Sequence, residues 1–255
     1  MTVIDAIFMG ILQGLTEFLP ISSSGHLVVG QALLGIHIPG KAVEVVVHTG
    51  TLFSILVVFK NDWFNLLRTV NTKDSKNYII YILIGTIPAA IVGILFEQVI
   101  NRLFENVILV GITLIVTGSF LLTTKWFPER NGELSPSKSV LIGLAQAVAI
   151  IPGISRSGAT ISSALALGLK PQQAARFSFL LAVPAIAGAA LLTGIDFVQN
   201  PQESLNWVVL GSALLSSFFV GVFALKWLLK LIGSGQLYWF SFYCFFLGGL
   251  VLMWT

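Results

Sequence analysis

The chain has 255 residues, 56% of them hydrophobic and 10% charged, with a mean hydropathy of +0.92 and a net charge of +3. Soluble domains carry about 25% charged residues, so the composition excludes a soluble globular domain and points to an integral membrane protein. The apolar runs have helical length and do not alternate, which favours a helical bundle over a barrel.

A span needs about 20 apolar residues, so about six to eight segments fit. Cys244 is the only cysteine, which excludes an intramolecular disulfide or a multi-cysteine metal site and leaves a packed thiol. The N-terminus lacks the basic region and small-residue cleavage site of a signal peptide. No basic cluster with interleaved aromatics is present, so no nucleic acid partner is expected.

In chain order, the first apolar stretch, Ile7–Ile36, is broken near its middle by "PISSSGHL" (Pro20–Leu27). Clean spans are predicted at Val45–Phe59, Tyr78–Phe96 and Val107–Thr124. A polar linker follows at 125–139, then a second broken stretch, Val140–Leu169. Further clean spans are predicted at Phe177–Ile195, Trp207–Leu225 and Leu237–Trp254.

A fixed shift of 133 residues lays the two broken stretches on each other without a gap. Gly10, Gln13, Ile21, Ser22, Ser24, Gly25, Leu34 and Gly35 then fall on Gly143, Gln146, Ile154, Ser155, Ser157, Gly158, Leu167 and Gly168. The order of elements matches as well: one broken segment, then three spans. The chain therefore reads as a first repeat at 1–124, the linker at 125–139, and a second repeat at 140–255.

Three spans is an odd number, so the second repeat should be inverted relative to the first. The expected fold is an all-α integral membrane protein with an inverted-topology repeat. It has six transmembrane helices and two re-entrant helix–loop–helix hairpins, 7–36 and 140–169, whose tips meet near the midplane.

Charge supports the topology. If the loop after Lys60 is cytoplasmic, that side also holds Arg68, Lys73, Lys76, Lys125, Arg130, Lys138, Lys170, Arg176, Lys226 and Lys230. The opposite side holds only Lys41 and Arg102. This positive-inside bias puts both termini and the mouth of the first hairpin outside, and the mouth of the second inside.

The one basic residue left over is Arg156, at the tip of the second hairpin in "PGISRSGAT" and aligned by the repeat with Ser23. An arginine at bilayer depth costs at least about 2.5–3.5 kcal/mol on insertion scales, so it should face a cavity or a partner. Its planar fork of donors suits phosphate. The plainer reading is a buried Arg156–Glu17 pair that locks the two tips together.

The tips also carry Ser22, Ser23 and Ser24 on one side and Ser155, Ser157 and Thr160 on the other. Each hydroxyl alone could satisfy backbone freed by the break. With Gly25, Gly153 and Gly158 admitting close backbone approach, and helices restarting there, the tips together read as a cup of donors for phosphate. Gln13 and Glu17 share one helix face on the approach to the cup. Glu17 there can take a proton, hold a divalent cation, or both. His26 is a candidate base, nucleophile or acid. Glu44 opens a span on the outer side, either reaching the cavity mouth or serving as an interfacial carboxylate, and His48, one turn on, is expected to bond within the bundle.

"QGLTEFLPISSSGH" and "PGISRSGAT" resemble the two signature segments of the undecaprenyl-diphosphate phosphatase, or bacitracin-resistance, family. Length and span pattern agree over the whole chain. The resemblance implies a phosphatase of the bacterial cytoplasmic membrane that removes the terminal phosphate of a C55 isoprenoid diphosphate and so recycles the cell-wall lipid carrier. It also implies a divalent cation, Mg2+ or else Ca2+, and an active site toward the outer side.

Carried over, the family's acidic motif falls on Gln13 and Glu17, its hydroxyl and histidine on Ser23 and His26, and its arginine on Arg156. Gln13 replaces an acid, which leaves Glu17 as the one carboxylate there. Ser23, His26 or water is left open as the group that attacks phosphorus. Membrane lipid is the expected surrounding partner, and a homodimer is one assembly open to such a chain. The rival from another class is an inverted-repeat transporter or flippase for a lipid phosphate or anion.

Overall fold

The computed structural model describes residues 1–34, 42–127, 131–199, 206–233 and 235–254. The end of the first broken stretch at Gly35–Ile36, the basic residues Lys41 and Arg130, and Thr255 lie outside them. The described residues form twelve α-helices: α1 (Val3–Thr16), α2 (Ser23–Leu34), α3 (Ala42–Val58), α4 (Lys60–Arg68), α5 (Lys73–Leu95), α6 (Glu97–Phe104), α7 (Val107–Thr123), α8 (Pro136–Val148), α9 (Arg156–Ala166), α10 (Pro171–Gln199), α11 (Trp207–Gly233) and α12 (Phe240–Trp254).

Short polar side chains start many of these helices, as the open N–H groups of a first turn require. Thr2 and Asp5 form a reciprocal capping box on α1. Thr72, Asn106, Ser135 and Ser155 cap α5, α7, α8 and α9, and Pro136 follows Ser135 at the first position of α8.

Five helices are long and apolar enough to cross a membrane, and a sixth span appears if α3 and α4 count as one segment bent by 65°. The bend falls where the apolar run meets Lys60, and α4 then carries both charges and apolar residues. The two helices predicted at 78–96 and 207–225 extend further, to Lys73 and Gly233. Lys226 and Lys230 are exposed on that added length, where a lysine stem can lie along apolar surface with its head in water. Large apolar side chains such as Leu83, Ile87, Ile91 and Ile94 of α5 and Phe219 and Phe223 of α11 stand exposed. A contiguous apolar exterior of this kind suits lipid, not water.

Each broken stretch folds back on itself. In the first, Gly30 of α2 lies against Leu12 of α1, and Ser23 at the start of α2 reaches Glu17 at the end of α1. Ala6 of α1 clusters with Val43 and Val47 of α3 and with Leu210 and Ala213 of α11, so these three helices begin at one end of the bundle. In the second, the Gly132 N–H, just before α8, donates to the Gly168 carbonyl just after α9 at 2.9 Å. The α8–α9 hairpin therefore enters and leaves at one end.

That end also holds the Arg176–Asp62 ion pair, at 2.6 Å, between α10 and α4. The main interfaces pair α11 with α1 and α3, α5 with α8, and α7 with α12. Small residues allow the close approach: a Cβ at Gly143 of α8 would meet the Gly85 carbonyl carbon of α5 at 2.9 Å. The largest buried side chains, including Phe18, Phe177 and Phe179, form a common core around the hairpin tips and α10.

Candidate active site

Both hairpin tips are built by the same local chemistry. A proline without an N–H interrupts each helix, at Pro20 and Pro152, and a serine starts the next. Ser22 Oγ accepts the Gly25 N–H at 3.2 Å, and Ser155 Oγ accepts the Gly158 N–H at 3.1 Å. The hydroxyl pairs Ser22–Ser24 and Ser155–Ser157 lie 3.2 and 3.3 Å apart. Ser22 is the only non-glycine residue with positive φ, at 69°, among the described residues. An L-residue in that conformation costs about 1–2 kcal/mol, so the first tip is held against strain.

The tips touch. A Cβ on Gly25 would approach Gly153 Cα at 3.1 Å, and Gly153 itself has φ +89. Ser157 Oγ donates to the Leu19 carbonyl at 3.3 Å, bonding one tip to the other. From α7, Thr113 donates to the Pro152 carbonyl at 2.6 Å. Thr117 on the same helix donates to the Gly153 carbonyl and accepts from the Ser155 N–H. The turn that leads into Arg156 is thus pinned at three consecutive peptide groups.

At the junction sits Glu17, with its side chain 6% exposed. One carboxylate oxygen pairs with Arg156 Nη2 across the tips. The other accepts Gln13 Nε2 at 3.0 Å and Ser23 Oγ at 2.5 Å. The Ser23 hydroxyl therefore points its proton at a carboxylate, the arrangement that readies an alcohol for attack. Among the described residues two polar atoms here have no partner: Arg156 Nη1 and Gln13 Oε1, both buried. Orphaned groups of this kind in a polar junction are expected to meet a ligand, ion or water.

Of the residues predicted for the cup, Gln13, Glu17, Ser23 and Arg156 are brought together. Ser22, Ser24, Gly25, Gly153, Ser155, Ser157 and Gly158 build and join the tips around them. Thr160 lies elsewhere: fully buried, its hydroxyl bonds the Arg156 carbonyl at 2.8 Å and Ser178 at 2.5 Å. His26 is turned to other partners, with Nδ1 2.7 Å from the Ser22 carbonyl and Nε2 2.7 Å from the Tyr243 hydroxyl.

His48, expected to bond within the bundle, does so, with Nδ1 donating to the Glu44 carbonyl at 2.8 Å, but its Nε2 also lies 3.9 Å from Glu17, a link to the site that sequence reasoning did not foresee. Its place on α3, well outside the motifs, carried no signal. Thr113, Thr117 and Tyr243 were missed as well, because each acts across a tertiary contact that no spacing encodes.

The Glu17 carboxylate and the unpartnered Gln13 Oε1 can offer oxygen ligands to a hard cation, but no group of three or more His, Cys, Asp or Glu residues is suited to hold a metal among the described residues. Such a set fits a magnesium-like ion that keeps several waters and takes the rest of its ligands from a substrate's phosphate oxygens. It does not fit a structural metal cage.

The fold and its centre together define a polytopic helical membrane protein with a serine–carboxylate–arginine site between two hairpin tips. Residues 6–250 match the family model described as bacitracin resistance protein BacA. Undecaprenyl-diphosphatase 1 of Bacillus cereus is 39% identical over 262 residues, covering 98% of this chain and 97% of that protein. The corresponding figures for undecaprenyl-diphosphatase 1 of Bacillus licheniformis are 40% over 265 residues, 99% and 98%. For undecaprenyl-diphosphatase of Korarchaeum cryptofilum they are 41% over 266 residues, 99% and 99%. The chain belongs to the bacitracin resistance protein BacA family.

Proposed function

We infer that the protein is an undecaprenyl-diphosphatase, releasing phosphate from the lipid diphosphate to leave the lipid monophosphate. The observation that carries the chemistry is the Ser23–Glu17–Arg156 junction. Ser23 Oγ attacks the distal phosphorus while Glu17 takes its proton. The bond from that phosphorus to the bridging oxygen breaks, and the prenyl phosphate leaves. Water then attacks the phosphoserine and regenerates the hydroxyl with release of phosphate.

Arg156 supplies fixed positive charge to the phosphate oxygens, the main source of rate in phosphoryl transfer. Its unpartnered Nη1 is the donor left over for that contact. His26, with both ring nitrogens engaged, supports the turn and does not bond to phosphorus in this reading. Glu17 and Gln13 Oε1 would hold the divalent cation, Mg2+ or Ca2+, whose charge would further neutralise the diphosphate. The prenyl chain lies along the exposed apolar helix faces, and one chain supplies the whole site, with or without a homodimer.

The repeat belongs to the same reading. Support comes from the interfaces: α1 on α11 answers to α8 on α5, α7 meets α12, and Ser22 and Ser155 cap their tips alike. On this topology the second half is inverted, both termini and the mouth of the first hairpin lie outside, and the basic end lies in the cytoplasm.

The test is phosphate release by purified protein from a prenyl diphosphate, with and without EDTA. Wild type should be active, lose activity in EDTA and regain it with Mg2+. Arg156→Ala should cost about 10²–10³-fold in kcat. No release by well-folded wild type in the presence of cation would sink the reading.

A further inference from the structure

His26 completes the first turn of α2 and is 7% exposed, yet its ring makes two hydrogen bonds. The Ser22 carbonyl can only accept, so Nδ1 carries the ring proton. In the neutral ring Nε2 then accepts, and the Tyr243 hydroxyl must be its donor. Tyr243 comes from α12, 217 residues away, and its ring lies parallel to the imidazole at 7° with centroids 5.6 Å apart.

The Ser22 carbonyl also receives the His26 backbone N–H at 3.2 Å. A single residue thus grips the strained turn twice, through its backbone and through its ring. Ser23 follows that turn directly and donates to Glu17. The path from Tyr243 to the reacting hydroxyl runs through His26 Nε2, His26 Nδ1, the Ser22 carbonyl and the peptide that orients Ser23. None of the signature residues in the two tips lies on α12.

We propose that Tyr243 is a positioning residue of the phosphatase, acting through His26: its hydroxyl holds the imidazole at Nε2 and so clamps the Ser22 turn, keeping Ser23 aimed at Glu17. The proposal rests on the hydrolase reading above. Tyr243 is bonded to His26, whereas Arg156, Ser23 and Gln13 are bonded to Glu17, so it governs the aim of the nucleophile and not the grip on phosphate. Its loss should therefore appear in kcat and leave KM nearly unchanged.

Tyr243→Phe removes the hydroxyl and keeps the ring against His26. In the prenyl-diphosphate assay this variant should lose about tenfold in kcat, the equivalent of one ordinary hydrogen bond, with KM within about twofold of wild type. Combined with His26→Ala, the tyrosine substitution should cost nothing further, because its effect passes through the imidazole.

A full kcat in Tyr243→Phe, a change confined to KM, or a tenfold loss that persists in the His26→Ala background would each overturn the proposal. An independent reading needs no variant to fold. The chain has three histidines, and 15N imidazole spectra of the wild type should show His26 protonated on Nδ1. Protonation on Nε2 alone would overturn it equally. Inactive wild type would count instead against the hydrolase reading.

Discussion

Glu17 bears more interactions than any other polar side chain of the junction: Arg156, Gln13 and Ser23 all bond to it. Such a pair could serve the fold alone or the chemistry as well, and two substitutions separate these roles. Glu17→Gln keeps the shape but removes the charge opposite Arg156 and the base for Ser23. It should lower kcat by about 10²–10⁴-fold and stability by about 1–3 kcal/mol, since the guanidinium loses its counter-charge. Adding Arg156→Gln should recover much of that stability, because two neutral amides replace an unpaired charge, while activity stays lost. Thermal unfolding in detergent beside the phosphate assay checks both. Recovery of activity along with stability would make the pair a structural lock only. The carboxylate, arginine and serine of this centre were legible in the motifs. His48 and Tyr243 were not, since a polar residue in an apolar run reads alike whether it faces a neighbour's backbone or a reacting group.

Among the helices, small residues decide which pairs approach closely enough to hold the tips. Gly143 places α8 on the α5 backbone at Gly85, whereas Gly93 of α5 faces open space. Gly143→Val should push α8 away and destabilise the protein by about 1–3 kcal/mol through overpacking. Gly93→Ala should be neutral or stabilising by about 0.5–1 kcal/mol, as a helix interior gains from losing a glycine. Unfolding midpoints of the two variants test the contrast, and an undisturbed Gly143→Val would refute the close packing. The helix breaks at Pro20 and Pro152 were visible in the sequence because proline and serine act locally. The bend between α3 and α4 was not, because an apolar run ending in lysine does not say whether the chain stops or turns.

For the molecule in its membrane, the proposed orientation makes a direct prediction. Cys244 is the only cysteine and is fully buried, so a Cys244→Ala background is silent to labelling. A single cysteine at Asn71, exposed between α4 and α5, should resist a membrane-impermeant maleimide in intact cells and react after permeabilisation. One at Gln98, exposed on α6, should react in intact cells. The opposite pattern would invert the topology and move the mouth of the first hairpin to the cytoplasm.

By itself the sequence determined that this is a helical membrane protein, where its two interrupted segments fall, and which charged and hydroxyl groups they carry. Those properties follow from local chemistry: apolar length, prolines that remove donors, serines that cap, and the cost of placing a charge in lipid. Only the tertiary structure decided that Glu17 and Arg156, 139 residues apart, share one ion pair, that Ser23 rather than His26 faces the carboxylate, and that "PISSSGHL" is held from α12. The reason is physical. A side chain's partner across a bundle depends on how helices pack and rotate against one another, and that information is spread over every contact of the core.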